Sequence, residues 1–257
     1  MNGDLKSVRF DLENGSTMNL KGRIDRLDTY EEDDTIYIKV IDYKSGSTSF
    51  DLVGVYYGLQ LQLVLYMNAA LEIMGKGRKK TRPAGIFYYN VKDPMEEWKE
   101  GESEDALSER ILKDLKVNGL ILDNDEVIVH LDRGFTEGSS ESSVIPVKYN
   151  KNGSMAAASS VASLENMDRL SKHVHHTIED IGKKILSGDV SVNPYERKGR
   201  TGCDYCPYQG ICGFDRKIPG YEYRRLDQLS SKDVWGKLEK EAAEYGSEMD
   251  SGSAESH

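Results

Sequence analysis

Two aspartates and a lysine, Asp25, Asp42 and Lys44, stand in the stretch GRIDRLDTYEEDDTIYIKVIDYKSG, residues 22 to 46. Asp42 and Lys44 end a run otherwise as apolar as Ile36 to Ile41. Charges at the end of such a run are costly unless they are paired or bind a metal. Side chains alternate along a strand, so Asp42 and Lys44 share a face with Ile38 and Val40, while Ile41 and Tyr43 point the other way. Neighbouring strands lie ~5 Å apart, and a hairpin register that sets Asp25 opposite Asp42 would bring the two carboxylates together. They would repel unless something positive sat between them. Oxygen ligands suit Mg²⁺, which keeps several waters and takes one or two carboxylates plus phosphate. The Lys44 ammonium could then polarise or hold the water that the metal makes more acidic.

Gln62 and Tyr66 are spaced i, i+4 and share one helix face. The glutamine could fix a water or a phosphate oxygen near the metal. Equally, Gln62 could cap a strand end and Tyr66 fill the core. The three cysteines, Cys203, Cys206 and Cys212, form a C-x₂-C-x₅-C cluster, which reads as metal ligation rather than a disulfide framework. Zinc sites and 4Fe–4S clusters both use four ligands, so one is missing or comes from elsewhere. His173, His175, His176 or Asp204 could complete the set, although three histidines in KHVHH on an amphipathic helix read first as a solvated face.

Positioning these residues requires a strand near Val8 to Leu12, a second over Met18 to Asp28 across an Asn14-Gly15 turn, and a third over Ile36 to Tyr43. VGVYYGLQLQLVLYMNAALEIMG predicts a helix from Val53 to Met74, and AGIFYYNV a buried strand that can lie parallel to an earlier one. Helices are expected over Glu102 to Lys116 and Ser163 to Gly188, with Ser/Gly-rich links EGSSESS and NKNGSMAAASS between them. No internal repeat is present. The fold class is α/β: a mixed central sheet flanked by helices, with a C-terminal cysteine-bearing extension. The expected division is a core over 1–95, a helical and strand insert over 96–190 that completes it, a cysteine segment over 191–230, and an acidic tail over 231–257. That tail is expected to be largely disordered beyond Glu244.

The chain of 257 residues is 38% hydrophobic and 30% charged. It has no run of the ~20 apolar residues that cross a bilayer and no signal-peptide pattern, which predicts a cytoplasmic protein. A net charge of −10 argues at first against a nucleic-acid partner. Residues 93 to 126, however, hold twelve acids against four bases, and the tail from Lys232 seven against three. The remainder is near neutral, with a basic run of Lys76, Arg78, Lys79, Lys80 and Arg82 that reads as a solvated loop.

Taken in order, G-x-I-D, D-x-K and Q-x-x-x-Y resemble the RecB-type branch of the PD-(D/E)XK nuclease superfamily, with its restriction-endonuclease-like core. The resemblance implies metal ligation by Asp25, Asp42 and the Tyr43 backbone carbonyl, catalysis by Lys44, and active-site support from Gln62 and Tyr66. GLQLQLVLY, AGIFYYNVKDPM, KVNGLIL, NPYERKGRTGCDYCPY and YEYRRL extend it, over Val8 to Asp227, to the AddB family of helicase-nuclease proteins. That family implies a Mg²⁺-dependent DNA exonuclease acting on double-strand breaks for homologous recombination and cutting the 5′-ended strand. Its implied partner is the A-type subunit of the helicase-nuclease heterodimer. It also implies a 4Fe–4S cluster on Cys203, Cys206 and Cys212. In the family the fourth cysteine and an active-site histidine lie upstream of the first strand, so this chain resembles a C-terminal fragment. Two other readings are a catalytically silent, iron-sulfur-stabilised DNA-tracking module and a zinc-dependent protein-interaction domain.

Overall fold

A computed structural model describes residues 4–12, 15–77, 79–91, 97–135 and 140–252. Its first elements are β1 (Asp4–Asp11), β2 (Thr17–Arg23), β3 (Arg26–Glu32) and β4 (Thr35–Lys44). β1 and β2 form an antiparallel pair of their own, with Gly15 at φ +73° in the turn; Asn14 lies outside the described residues. The single strand expected over Met18 to Asp28 is divided at Ile24 and Asp25. Its second half leaves the first hairpin and pairs antiparallel with β4, Arg26 opposite Ile41.

The helix expected over Val53 to Met74 is likewise two, α1 (Leu52–Tyr56) and α2 (Gln62–Met74). Gly58, at φ +77°, makes the break, because a left-handed residue cannot continue a right-handed helix and glycine adopts that conformation without a Cβ clash. Next come β5 (Lys80–Asn90), α3 (Glu104–Asp114), β6 (Asn118–Leu122), α4 (Asp125–Leu131), β7 (Val161–Ala162) and α5 (Leu164–Leu186). Ser103, Asn124 and Ser163 cap α3, α4 and α5, each side chain accepting from a backbone N–H three residues on. The chain ends in β8 (Tyr195–Arg197), β9 (Arg200–Thr201), α6 (Gln209–Cys212), β10 (Arg224–Arg225) and α7 (Ser231–Gly252).

The main sheet has the order β3-β4-β5-β6-β7. β4 and β5 run parallel, as expected, with antiparallel pairs on either side and a parallel β6-β7 pair at the far edge. Alternation along the strands gives each face its own core. Ile38, Val40, Ile86, Leu120 and Leu122 meet Leu63, Val64 and Met67 of α2 and Leu170 and Val174 of α5. On the other face Ile41, Phe87 and Ile121 pack with Ile128, Phe135, Ile145 and Val147. The β1-β2 hairpin docks on α5 through Phe10, Leu12 and Ile178.

The acidic tail departs from expectation. Ser231–Gly252 is helical, and Val234 and Leu238 are buried in the same core as Ile38. Their i, i+4 spacing makes a narrow apolar stripe that low-complexity composition hides. Residues 253–257 lie outside the described residues.

Candidate active site

The β3-β4 register ends at Arg26 opposite Ile41, and Asp25 and Asp42 are the next residue on each side of that end. Asp25 Oδ2 accepts the Tyr43 backbone N–H at 3.0 Å. Buried Ile24, just before it, anchors the division. Asp42 is only 3% exposed while Asp25 faces solvent, so the pair straddles the boundary between core and water.

Lys44 Nζ lies 2.6 Å from Asp42 Oδ2, off any hydrogen-bonding angle. Among the described residues that buried oxygen has no hydrogen-bond donor. The same ammonium donates to Gln62 Oε1 at 2.8 Å and stands 5.3 Å from the centre of the Tyr88 ring. Gln62 Nε2 in turn donates to the Tyr66 hydroxyl at 3.0 Å. The helix break at Gly58 puts Gln62 in the first turn of α2, pointing at the end of β4. Tyr66 closes the chain of contacts on Gly22, where a Cβ would stand 3.0 Å from its ring. The glycine of G-x-I-D is therefore a packing requirement of the tyrosine of Q-x-x-x-Y.

Side chains missed in the sequence complete the frame. Burial, and after it the Asp42 charge, pushes the Tyr88 phenol up to about 12, so it stays neutral beneath Lys44. Asn90, the register partner of Lys44, exchanges hydrogen bonds with Thr48 in both directions, and Asn118 holds Thr48 O and Phe50 N. These two amides clamp the loop that leaves Lys44. An asparagine ending an apolar strand, as in YYN, is the only sequence signal for them. Farther on, Asp51 is gripped by both terminal nitrogens of buried Arg197 on β8, which ties the cysteine segment to the N-terminus of α1. Burial raises the Asp51 carboxyl, and the Arg197 hydrogen bond, the Gly54 N–H and the nearby Arg197 and Lys198 charges together more than offset this, leaving it below the usual range.

The donor set fits a divalent cation. Two carboxylates from adjacent strand ends, one with a buried oxygen lacking a hydrogen bond, are hard ligands of the kind Mg²⁺ takes alongside water and phosphate. Among the described residues no three His, Cys, Asp or Glu side chains converge on one point. Cys203, Cys206 and Cys212 are half-buried free thiols and do not form such a cradle. Asp204 is engaged by the Thr201 hydroxyl at 2.6 Å and its N–H at 2.9 Å. The histidines need correction. His173 is not solvated: Nδ1 meets Glu241 at 2.8 Å, Nε2 meets the Tyr56 carbonyl at 2.9 Å, and its ring stacks on Tyr56. It ties α5 to α1 and α7 and is not placed to ligate a cluster. His175 and His176 are partly exposed. In the basic run, Lys79 pairs with Glu31 at 2.7 Å and Lys76 lies 3.8 Å from Glu72; Arg78 lies outside the described residues.

Residues 2–213 match the family described as the PD-(D/E)XK nuclease superfamily. The chain is similar to the B subunits of ATP-dependent helicase/deoxyribonucleases. It is 43% identical to that of Lachnoclostridium phytofermentans over 247 residues, 93% of this chain and 21% of the relative. The Clostridium kluyveri protein is 39% identical over 94% of this chain and 21% of its own length, and that of Clostridioides difficile 37% over 91% and 20%. The chain thus spans about a fifth of the length of these relatives. No helix among the described residues is long and apolar enough to cross a membrane. With its mixed sheet, its paired strand-end carboxylates and the lysine held by a helix glutamine, the chain belongs to the PD-(D/E)XK nuclease superfamily.

Proposed function

We propose that the chain is a Mg²⁺-dependent deoxyribonuclease domain that hydrolyses phosphodiester bonds. One observation carries this reading: the contact network from Asp42 through Lys44, Gln62 and Tyr66 to Gly22, with Asp25 held next to it on the Tyr43 N–H. A purely structural lysine has no need of a glutamine and a tyrosine to aim it. Asp25, Asp42 and the Tyr43 carbonyl would hold the metal. When bound, Mg²⁺ supplies Lewis-acid polarisation of the scissile phosphate and a more acidic water. Lys44 has three N–H donors; one is spent on Gln62 and the Asp42 contact is an ion pair without a hydrogen bond, which leaves a donor for a water or a phosphate oxygen. Gln62 and Tyr66 keep that donor from swinging into solvent, and Tyr88 excludes water from below.

The relatives support a finer reading. The domain acts as the exonuclease of a helicase-nuclease that processes double-strand breaks for recombination, cuts the 5′-ended strand and partners the A-type subunit of that heterodimer. Cys203, Cys206 and Cys212 take part in a 4Fe–4S cluster whose fourth ligand lies outside this chain. The test is cleavage of linear DNA, labelled at either end, with and without Mg²⁺. Wild-type chain should cut only with the metal. Asp42→Ala should stay folded and lose several kcal/mol of transition-state stabilisation, ~100-fold or more in rate. Full cleavage by that variant would sink the assignment.

A further inference from the structure

The face of the sheet opposite Lys44 carries an aromatic side chain with no core to fill. Tyr43 follows Asp42 directly, so its ring emerges on the far face of β4 while its backbone N–H is held by Asp25. The ring is 41% exposed and stands outside the apolar cluster of Ile41 and Phe87. It is nevertheless fixed. It meets the Tyr89 ring edge-on at 5.8 Å and 89°, and it lines one groove together with the Arg26 side chain. Behind it lies a groove of about 360 Å³ whose walls include Arg26, Lys39, Phe87, Tyr89 and Leu131. Arg26 and Lys39 share one carboxylate, Asp28, at 2.9 and 2.8 Å, so the rim holds two cations against one anion.

An exposed, immobilised ring beside a net-positive rim suits a nucleobase attached to a phosphate backbone. We propose that Tyr43 is a stacking platform for an unpaired base adjoining the scissile phosphate, and that the groove takes the flanking nucleotide of a single strand. This rests on the deoxyribonuclease reading of the Asp25–Asp42 site and names its preferred substrate form. β3 begins pairing with β4 only at Arg26 opposite Ile41, so Asp42 and Tyr43 both stand at an open strand end, and a strand whose phosphate reaches Asp42 passes that end beside the Tyr43 ring. In a duplex the base faces are already stacked on one another, so the ring contributes only to unpaired strands. Every base offers a π-face, and the platform is therefore tolerant of sequence.

The test uses the whole chain in Ca²⁺ buffer, a fluorescein-labelled oligothymidylate, and a series of the same strand with one base at a time removed to leave an abasic sugar. Wild type should weaken about tenfold when the base at a single position is missing. Tyr43→Ala should bind the intact strand about tenfold more weakly and lose that positional sensitivity. Tyr43→Phe, which keeps the ring, should stay within about threefold of wild type, and all three should bind a closed hairpin duplex alike. Equal binding of the intact strand by wild type and Tyr43→Ala overturns the platform. So does retained abasic sensitivity in Tyr43→Ala, an equal loss on the duplex, or no single-strand binding at all. Mg²⁺-dependent cleavage by wild type is scored separately: its absence defeats the nuclease reading, whereas cleavage with binding indifferent to Tyr43 defeats only the platform.

Discussion

Lys44 is held by a neutral amide on one side and a buried carboxylate on the other, and its charge and its hydrogen-bonding reach can be separated by substitution. Lys44→Gln keeps a polar group of similar length but no charge. If the ammonium acts on water or phosphate, cleavage should fall ~10²- to 10⁴-fold with little change in melting temperature; a near-native rate would return Lys44 to a structural role. Tyr66→Phe probes the next link. It leaves the ring against Gly22 and removes only the oxygen that Gln62 donates to. A support residue of this kind is expected to cost on the order of tenfold in rate. Gly22→Ala tests the packing itself, since the new Cβ must push the Tyr66 ring by a few tenths of an ångström. We expect ~1 kcal/mol of lost stability together with a partial loss of cleavage. Stability lost without any cleavage effect would separate the glycine from the site.

At the scale of elements, the joints that matter are charged. His173 joins α5 to α7 through Glu241 and to α1 through the Tyr56 carbonyl. Burial lowers the imidazolium pKa, but the Glu241 and Tyr56 hydrogen bonds outweigh it, and the folded value lies above the usual 6.5. Glu241 is the mirror case: burial raises it, His173 and after it the Tyr56 hydroxyl and the Lys237 charge together more than offset that, and it titrates below 4.5. The pair therefore stabilises fully between those two reference values. The His173 share is lost as pH rises through its folded pKa, and the Glu241 share as pH falls through its own. His173→Gln should cost about 2 kcal/mol near pH 5.5 and less at pH 8.5. Chemical denaturation of both proteins at the two pH values measures this; a gap that widens with pH would contradict the geometry.

The whole molecule draws its core from distant parts of the chain. Val234 and Leu238, more than 190 residues beyond Ile38, share its cluster, so the C-terminal helix is structural. Leu238→Ala should cost about 2–5 kcal/mol, read from a denaturant midpoint, whereas an unpacked tail would lose nothing. The cysteine segment is attached by the Arg197 grip on Asp51 together with buried Leu226 and with Leu229 packed against the main core, while Tyr205 and Ile211 in its loop are almost fully exposed. Cluster binding is folding free energy for the segments it joins. With three thiolates that do not converge, this chain should hold iron and sulfide well below one cluster per molecule. The same domain within a protein as long as its relatives should reach full occupancy. Equal occupancy in both would mean that a residue of this chain completes the site.

The sequence by itself named the candidates for the site. Asp25, Asp42 and Lys44 stood out because strand alternation is a local rule and charges closing an apolar run need an explanation wherever the run lies, whereas Gln62 and Tyr66 joined them through the resemblance of Q-x-x-x-Y to the nuclease motifs. The α/β class and the parallel β4-β5 pair were legible from local rules as well. Local rules do not say where a regular element stops when tertiary packing stops it. Tertiary structure alone decided that Met18 to Asp28 divides at Asp25, which turns one half toward β4, and that Val53 to Met74 breaks at Gly58, which aims Gln62 at Lys44. It alone set Tyr66 against Gly22, lodged half-buried His173 where α5 meets α1 and α7, and drew α7 out of an acidic tail. Each of these depends on a partner in another element, 15 residues away for Arg26 and Ile41 and 117 for His173 and Tyr56, whose proximity is a property of the closed chain rather than of any local periodicity.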